Sequence, residues 1–264
     1  MSNTPAFLKA RQELDEKQAR NRAWWEALPM TYRNWGDANR ATTREQVIRD
    51  FLEGNPYLTS NHFAMANKDV LEIGCGAGPA TCLFADNGAR VTAVDLTSKA
   101  VEMTTAHEPR ATVIEMDAEA LSFPDASFDH VFSWGVLHHS AQTERAFAEV
   151  ARVLRPGGTG LIMVYNRASL RFWLKGLYWL VVKGKIASGD GIASVQRFYT
   201  DGYYHRHYTA DELTAELSRL GLKITRMAKS HMAKQMIPMT PRGVDEKLKE
   251  RWGWLLVAEF VKPG

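Results

Sequence analysis

Cysteine is scarce in this chain of 264 residues, which has two in all; long apolar runs and any strong imbalance of charge are missing too. Each shortage excludes something. Cys75 and Cys82 bracket a glycine-rich turn and the helix expected after it, where a disulfide would distort both elements. They are expected as reduced thiols of a cytoplasmic protein. A core in a chain of this length buries roughly 70 to 75% of the unfolded surface and needs no covalent staple. The longest apolar stretch, residues 170–182, holds Arg171 and Lys175 and falls short of the ~20 residues a bilayer span requires. Near the N-terminus, polar Ser2, Asn3 and Thr4 lead into a charged stretch from Lys9 to Arg22, so no signal peptide is expected. A net charge of +3, spread along the chain, argues against an obligatory nucleic-acid partner. Neither repeats nor low-complexity tracts occur.

What is present is an alternation. Between residues 69 and 165, short apolar runs at 70–73, 91–94, 112–114, 129–132 and 161–164 are separated by helical patterns, the rhythm of a parallel sheet covered by helices. The clearest helix spans residues 142–154, with Phe147, Val150, Ala151 and Leu154 on one face and Pro156-Gly157-Gly158 ending it. After the fifth strand the pattern breaks for about forty residues, then resumes with a helix at 211–220 and strands at 222–227 and 254–261. The expected fold is α/β: a Rossmann-like, mostly parallel sheet of seven strands with the last antiparallel. Residues 1–60 are expected as an N-terminal helical appendage or lid, carrying Trp24, Trp25, Tyr32 and Trp35. Residues 61–264 form the core, with a lid-like insertion at 168–207 after strand five.

The turn after the first strand reads Glu72-Ile73-Gly74-Cys75-Gly76-Ala77-Gly78, and Asp95 follows Gly74 by twenty-one residues at the end of the second strand. Glycines there let the backbone turn tightly against a ligand, and a carboxylate at the second strand end can accept hydrogen bonds from both ribose hydroxyls. A dinucleotide fold shares this plan, but its third glycine would fall at position 79, which is Pro79. The acid-x-Gly-x-Gly-x-Gly spacing resembles class I S-adenosylmethionine-dependent methyltransferases, in particular the ubiquinone-biosynthesis-like, type 11 group. The likeness continues through Met116-Asp117-Ala118-Glu119, through Ser133-Trp134-Gly135-Val136-Leu137-His138-His139 and through Leu154-Arg155-Pro156-Gly157-Gly158, over about residues 66–165. The resemblance implies S-adenosylmethionine as cofactor. It assigns Glu72, Gly74, Gly76, Gly78, Asp95, Leu96, Ser133 and Trp134 to its binding, with Asp117 on the adenine amine and Ala118 offering its backbone N–H.

A sulfonium is already a strong electrophile with a neutral leaving group, so no metal is expected, and positioning should carry most of the rate. His138 and His139 follow the fourth strand at the carboxyl edge, where one of them can serve as base; adjacent side chains diverge, so both cannot face one site. Tyr32, Tyr165, Asn166, Trp173, His205 and His207 are the candidates for an acceptor pocket. In the insertion, Leu170, Trp173, Leu174, Leu177 and Val181 fall on one helical face, expected to turn toward the acceptor, with Gly184, Gly189 and Gly191 as a hinge. The expected reaction is methylation of a small, partly apolar metabolite, on oxygen first, with nitrogen, sulfur and carbon open. Neither nucleic acid nor membrane is expected as partner, although Arg171, Lys175, Lys183 and Lys185 would also suit an anionic membrane. The competing readings are a nucleoside-binding or membrane-associated regulator without catalysis, a nucleotide-dependent dehydrogenase and an RNA methyltransferase.

Overall fold

The computed structural model describes residues 6–27, 43–198, 205–231 and 241–264. At its centre lies an eight-stranded sheet. The strands are β1 (Asp69–Ile73), β2 (Arg90–Asp95), β3 (Thr112–Glu115), β4 (Phe128–Trp134), β5 (Leu154–Asn166), β6 (His207–Tyr208), β7 (Lys223–Ser230) and β8 (Leu255–Val261). They run in the order β3-β2-β1-β4-β5-β8-β7. The first five are parallel, and β8 lies antiparallel between β5 and β7. This is the seven-stranded plan expected from the sequence, with one addition. The two-residue β6 pairs with the end of β5 through Tyr165↔His207 and Asn166↔Tyr208.

Strand β5 also begins earlier than its apolar run. Leu154 pairs with Phe128 and Thr159 with His130, so a register shift absorbs the Pro156-Gly157-Gly158 segment inside the strand. Side-chain alternation then sorts the core. Leu71, Ile73, Val131, Ile162 and Val164 face one layer, packed on Phe147, Val150, Leu213 and Leu217 of α5 (Thr143–Val153) and α8 (Ala210–Arg219). Val70, Phe132, Trp134, Leu161 and Met163 face the other, against Phe51 of α2 (Arg44–Gly54), Phe63, and Phe84 of α3 (Pro79–Asp86). Threonine caps start the helices cleanly: Thr43 with Gln46 on α2, and Thr209 with Glu212 on α8, form reciprocal capping boxes.

Two appendages meet this core. Helix α1 (Ala6–Ala27) reaches its carboxyl edge, where the Asn21 amide donates to the His139 carbonyl at 2.8 Å, Arg22 pairs with Glu115, and the Ser98 hydroxyl of α4 (Ser98–His107) donates to Glu26 at 3.1 Å. The insertion after β5 runs as α6 (Leu170–Leu177), a π-helical turn (Tyr178–Val182), a 3-10 turn (Lys185–Ser188) and α7 (Ile192–Phe198).

The expected orientation of the insertion is corrected here. Phe172 and Gly176 form the buried side of α6, whereas Trp173, Leu174, Leu177 and Val181 are exposed. The reason lies in α7: a Cβ at Gly176 would meet Ile192 Cγ1 at 2.6 Å, and the Gln196 amide donates to the Phe172 carbonyl. Close approach at a glycine, not the wider apolar stripe, decides which side turns in. No described helix is long and apolar enough to cross a membrane.

Candidate active site

A cleft of about 1040 Å³, counting the space at its mouth, opens at the carboxyl ends of β1, β2 and β4. Its floor is the glycine turn. Gly74, Gly76 and Gly78 all hold positive φ, at 81°, 56° and 79°, which a side chain would strain. At Gly74 a Cβ would also overlap Val136, so the turn fits its strand-end neighbour only as glycine. The Gly74 and Cys75 amides donate to the Val94 carbonyl at 2.7 and 3.2 Å, fastening the turn to β2.

Asp95 is held in place from both sides. Its Oδ2 accepts the Gly76 amide at 3.0 Å, and its Oδ1 accepts the Thr97 amide and hydroxyl at 3.0 and 2.9 Å. Burial raises its carboxyl above the ordinary value while those bonds oppose the rise. Glu72, buried beneath the turn, accepts a hydrogen bond from the Thr81 hydroxyl. Burial, reinforced by the nearby Asp95 charge, pushes its carboxyl up to about 8. Asp117 accepts the Glu119 amide at 2.9 Å and the Gln18 side-chain amide of α1 at 2.9 Å. Two carboxyls raised by burial on one wall favour a ligand that carries positive charge, because a cation offsets the cost of ionising them.

Glu72, Gly74, Gly76, Asp95, Leu96, Asp117, Ala118 and Trp134 all line the cleft. Gly78 and Ser133 stand off the wall. Gly78 starts α3 in a left-handed conformation, where a Cβ would meet Thr104 Cγ2 at 2.9 Å. The Ser133 hydroxyl donates to the Ile73 carbonyl at 3.1 Å and so ties β4 to β1. The Trp134 indole is anchored from behind, donating to Asn55 Oδ1 at 2.8 Å.

The two histidines separate. His139 lies on the cleft wall with Trp25 edge-on to it, ring centres 4.9 Å apart. His138 is fully buried, and neither of its ring nitrogens has a hydrogen-bond partner among the described residues. Burial and the neighbouring histidines hold it well below the usual imidazole range.

None of the described acceptor candidates lines the cleft. Tyr165 and His205 lie behind His139, each with its ring centre 5.6 Å away. His207 packs 4.9 Å from His205, and burial lowers it to about 3. Asn166 is a strap, donating to the Gly253 carbonyl at 2.7 Å and accepting the Ala168 amide at 3.0 Å. Trp173 is on the outer surface, because the packing of α6 on α7 leaves it no inward direction. Tyr32 falls outside the described residues. In their place the wall takes Gln18, Asn21 and Trp25 from α1, with Phe51, Met103 and Met116. Among these Trp25 had a sequence signal in the tryptophan cluster of the N-terminal segment, and Met116 stands in a segment that carries the family likeness, whereas Gln18, Asn21, Phe51 and Met103 had none. The described residues contain no group of three or more histidine, cysteine or acidic side chains arranged to hold a metal.

A methyltransferase-domain family model matches residues 71–162. The 27-O-demethylrifamycin SV methyltransferase of Amycolatopsis mediterranei is 36% identical over 144 residues, covering 51% of this chain and 50% of that protein. An S-adenosyl-L-methionine-dependent Diels-Alderase of Talaromyces variabilis is 34% identical over 148 residues, covering 53% and 50%. The chain thus spans about half the length of these curated relatives. Among solved structures, a SAM-dependent methyltransferase of Methanosarcina mazei superposes with a TM-score of 0.57 at 21% identity, over 77% of this chain and 96% of that one, a likeness of fold. Residues 71–162 match a methyltransferase domain, and relatives that share this region are named as S-adenosylmethionine-dependent, which points to that methyl donor. The cleft fits this donor in chemistry: acidic groups for a cation and ribose, and a turn that leaves backbone within reach.

Proposed function

We propose that the protein transfers a methyl group from S-adenosylmethionine to a small, partly apolar metabolite in the cytoplasm, with oxygen as the favoured acceptor atom. The observation that carries this reading is the composition of one cleft. Its lining includes the acidic side chains Glu72, Asp95 and Asp117 together with the rings of Trp25, Phe51, Phe132, Trp134 and His139. The bound cofactor supplies a methyl group on a positively charged sulfur. The chain itself has three tasks: Asp95 and Asp117 orient the nucleoside, Glu72 supplies negative charge beneath the turn, and the aromatic wall excludes water from an apolar acceptor. A hydroxyl acceptor must shed a proton as its oxygen gains the methyl group, and His139 is the imidazole on the wall that can take it.

Oxygen is favoured by the Amycolatopsis mediterranei relative, whose name gives 27-O-demethylrifamycin SV as its methyl acceptor. The relative named as a Diels-Alderase motivates a second reading, in which the cofactor is held and the metabolite is isomerised without methylation. One experiment separates them. The purified protein is incubated with methyl-labelled S-adenosylmethionine and an extract of its own source, and products are followed by mass spectrometry. A labelled metabolite heavier by one methylene is the expected result. An unlabelled isomer, or binding of S-adenosylhomocysteine with no labelled product, overturns methyl transfer.

A further inference from the structure

Ten large hydrophobic side chains are exposed among the described residues, and seven of them fall within residues 173–186. Val181, Val182 and Ile186 are 62%, 69% and 65% exposed, beside Trp173 at 54% and Leu177 at 56%. This is not a loose segment. Phe172 and Gly176 anchor α6 against α7, and the Arg171 guanidinium lies 3.7 Å from the centre of the Trp254 ring, fixing the start of the helix to the core. The same anchoring holds the apolar side chains outward. A patch so concentrated marks an interaction surface, because isolated surface hydrophobics are normally scattered.

The charges say what kind of surface it meets. Residues 170–189 contain Arg171, Lys175, Lys183 and Lys185 and no acidic residue. Arg171 is turned to Trp254, and Lys175, Lys183 and Lys185 fall within the apolar segment; Lys183 sits 5.8 Å from the Tyr178 ring centre. Protruding aliphatic side chains, a tryptophan and a tyrosine among lysines are the composition of an element that lies in a bilayer interface, with the lysines on anionic headgroups. A second copy of the chain is a poorer occupant. A two-fold contact through this patch would set lysines against lysines.

We infer that residues 173–186 form a docking surface for an anionic phospholipid bilayer, bound peripherally. The inference is independent of the methyl-transfer reading, since it rests on the outer face of the insertion and not on the cleft. The test is co-sedimentation of the full chain with vesicles of phosphatidylcholine alone or mixed with phosphatidylglycerol. Wild type is expected to sediment with the mixed vesicles, far less with phosphatidylcholine alone, and to be released by salt. Leu177→Gln/Val181→Gln/Val182→Gln should abolish sedimentation. Lys183→Gln/Lys185→Gln should weaken it about thirtyfold, at about tenfold for each 1.4 kcal/mol and one such lysine contributing on the order of 1 kcal/mol. Both variants should keep wild-type affinity for S-adenosylhomocysteine, which reports an intact fold. Failure of wild type to bind mixed vesicles, or normal sedimentation of the triple variant, overturns the inference. So does a wild-type dimer in solution that the triple variant converts to monomer, since the patch would then belong to a second copy.

Discussion

The two ends of the cleft are built on opposite electrostatic terms. At the end formed by β1 and β2, buried carboxyls are lifted: Glu72 to about 8, and Asp95 upward against three hydrogen bonds. Behind the end formed by β4, buried imidazoles are lowered, His138 well below its usual range and His207 to about 3. Burial drives both shifts, because it penalises whichever form is charged. The consequence differs. The carboxyl end is costly until a cation arrives, whereas His138 and His207 stay neutral and take up a proton poorly, so they support the wall behind His139 and are not bases themselves.

The largest expected effect tests the imidazole end. Replacing His139 with Ala should lower turnover by about a hundredfold to ten-thousandfold on an oxygen acceptor, with cofactor affinity unchanged, as expected for loss of a positioned base. His138→Ala should instead cost about 1–3 kcal/mol of stability, seen as a lower melting temperature, with turnover of the folded fraction retained. Equal, small effects on turnover from the two variants would leave catalysis to positioning alone.

Glu72 tests the other end. Its folded value of about 8 lies above the ordinary 4.5, so the folded state holds its proton while the unfolded chain ionises. The contribution of this group to stability therefore falls as pH rises from about 4.5 to about 8 and is level outside that window, a loss on the order of 5 kcal/mol for the unliganded protein. Glu72→Gln should remove that slope from the difference between the two unfolding curves. A bound sulfonium and ammonium favour the ionised carboxylate, so cofactor binding near neutral pH should release a proton in wild type and not from the variant. Calorimetry in two buffers of different ionisation enthalpy reads this directly; identical proton release in both proteins would remove Glu72 from the cation's surroundings.

Asp95→Ala should weaken cofactor binding about tenfold to 150-fold, the loss of hydrogen bonds from two hydroxyls to a charged acceptor. An unchanged dissociation constant in a folded variant would take Asp95 out of the ribose site.

The carboxyl end was legible in the sequence because local backbone rules built it. Positive φ at Gly74 and Gly76, and an acid at the end of β2, are constraints that leave a mark within a few residues. Gly78 shares the positive φ of that turn and Ser133 entered through the family likeness, yet their contacts lie off the cleft wall, Gly78 against Thr104 and Ser133 on the Ile73 carbonyl. The α1 side of the cleft left no such mark. Gln18 meets Asp117 across 99 residues and Asn21 meets His139 across 118, contacts that depend on how a whole helix docks. Strand β6 was invisible because two residues carry no period. On α6 both sides are apolar, so periodicity marked a helix but could not say which stripe faced in; the contact of Gly176 with Ile192 and Gln196 decided it.

That reversal supplies the smallest expected effect. Were α6 a cover over the acceptor, Trp173→Ala would raise the Michaelis constant for the acceptor. In the structure the Trp173 side chain is 54% exposed, and the buried side of its helix is formed by Phe172 and Gly176. A surface substitution away from packing and the cleft changes stability by about 0.5 kcal/mol or less, and with no contact to the cleft wall it should leave both the acceptor constant and the cofactor affinity within about twofold of wild type. Steady-state kinetics in detergent-free, lipid-free buffer is the measurement. A Michaelis constant raised well beyond twofold at normal cofactor affinity would mean that α6 turns its outer face inward during the reaction, and the division between a closed cleft and an outward apolar patch would have to be withdrawn.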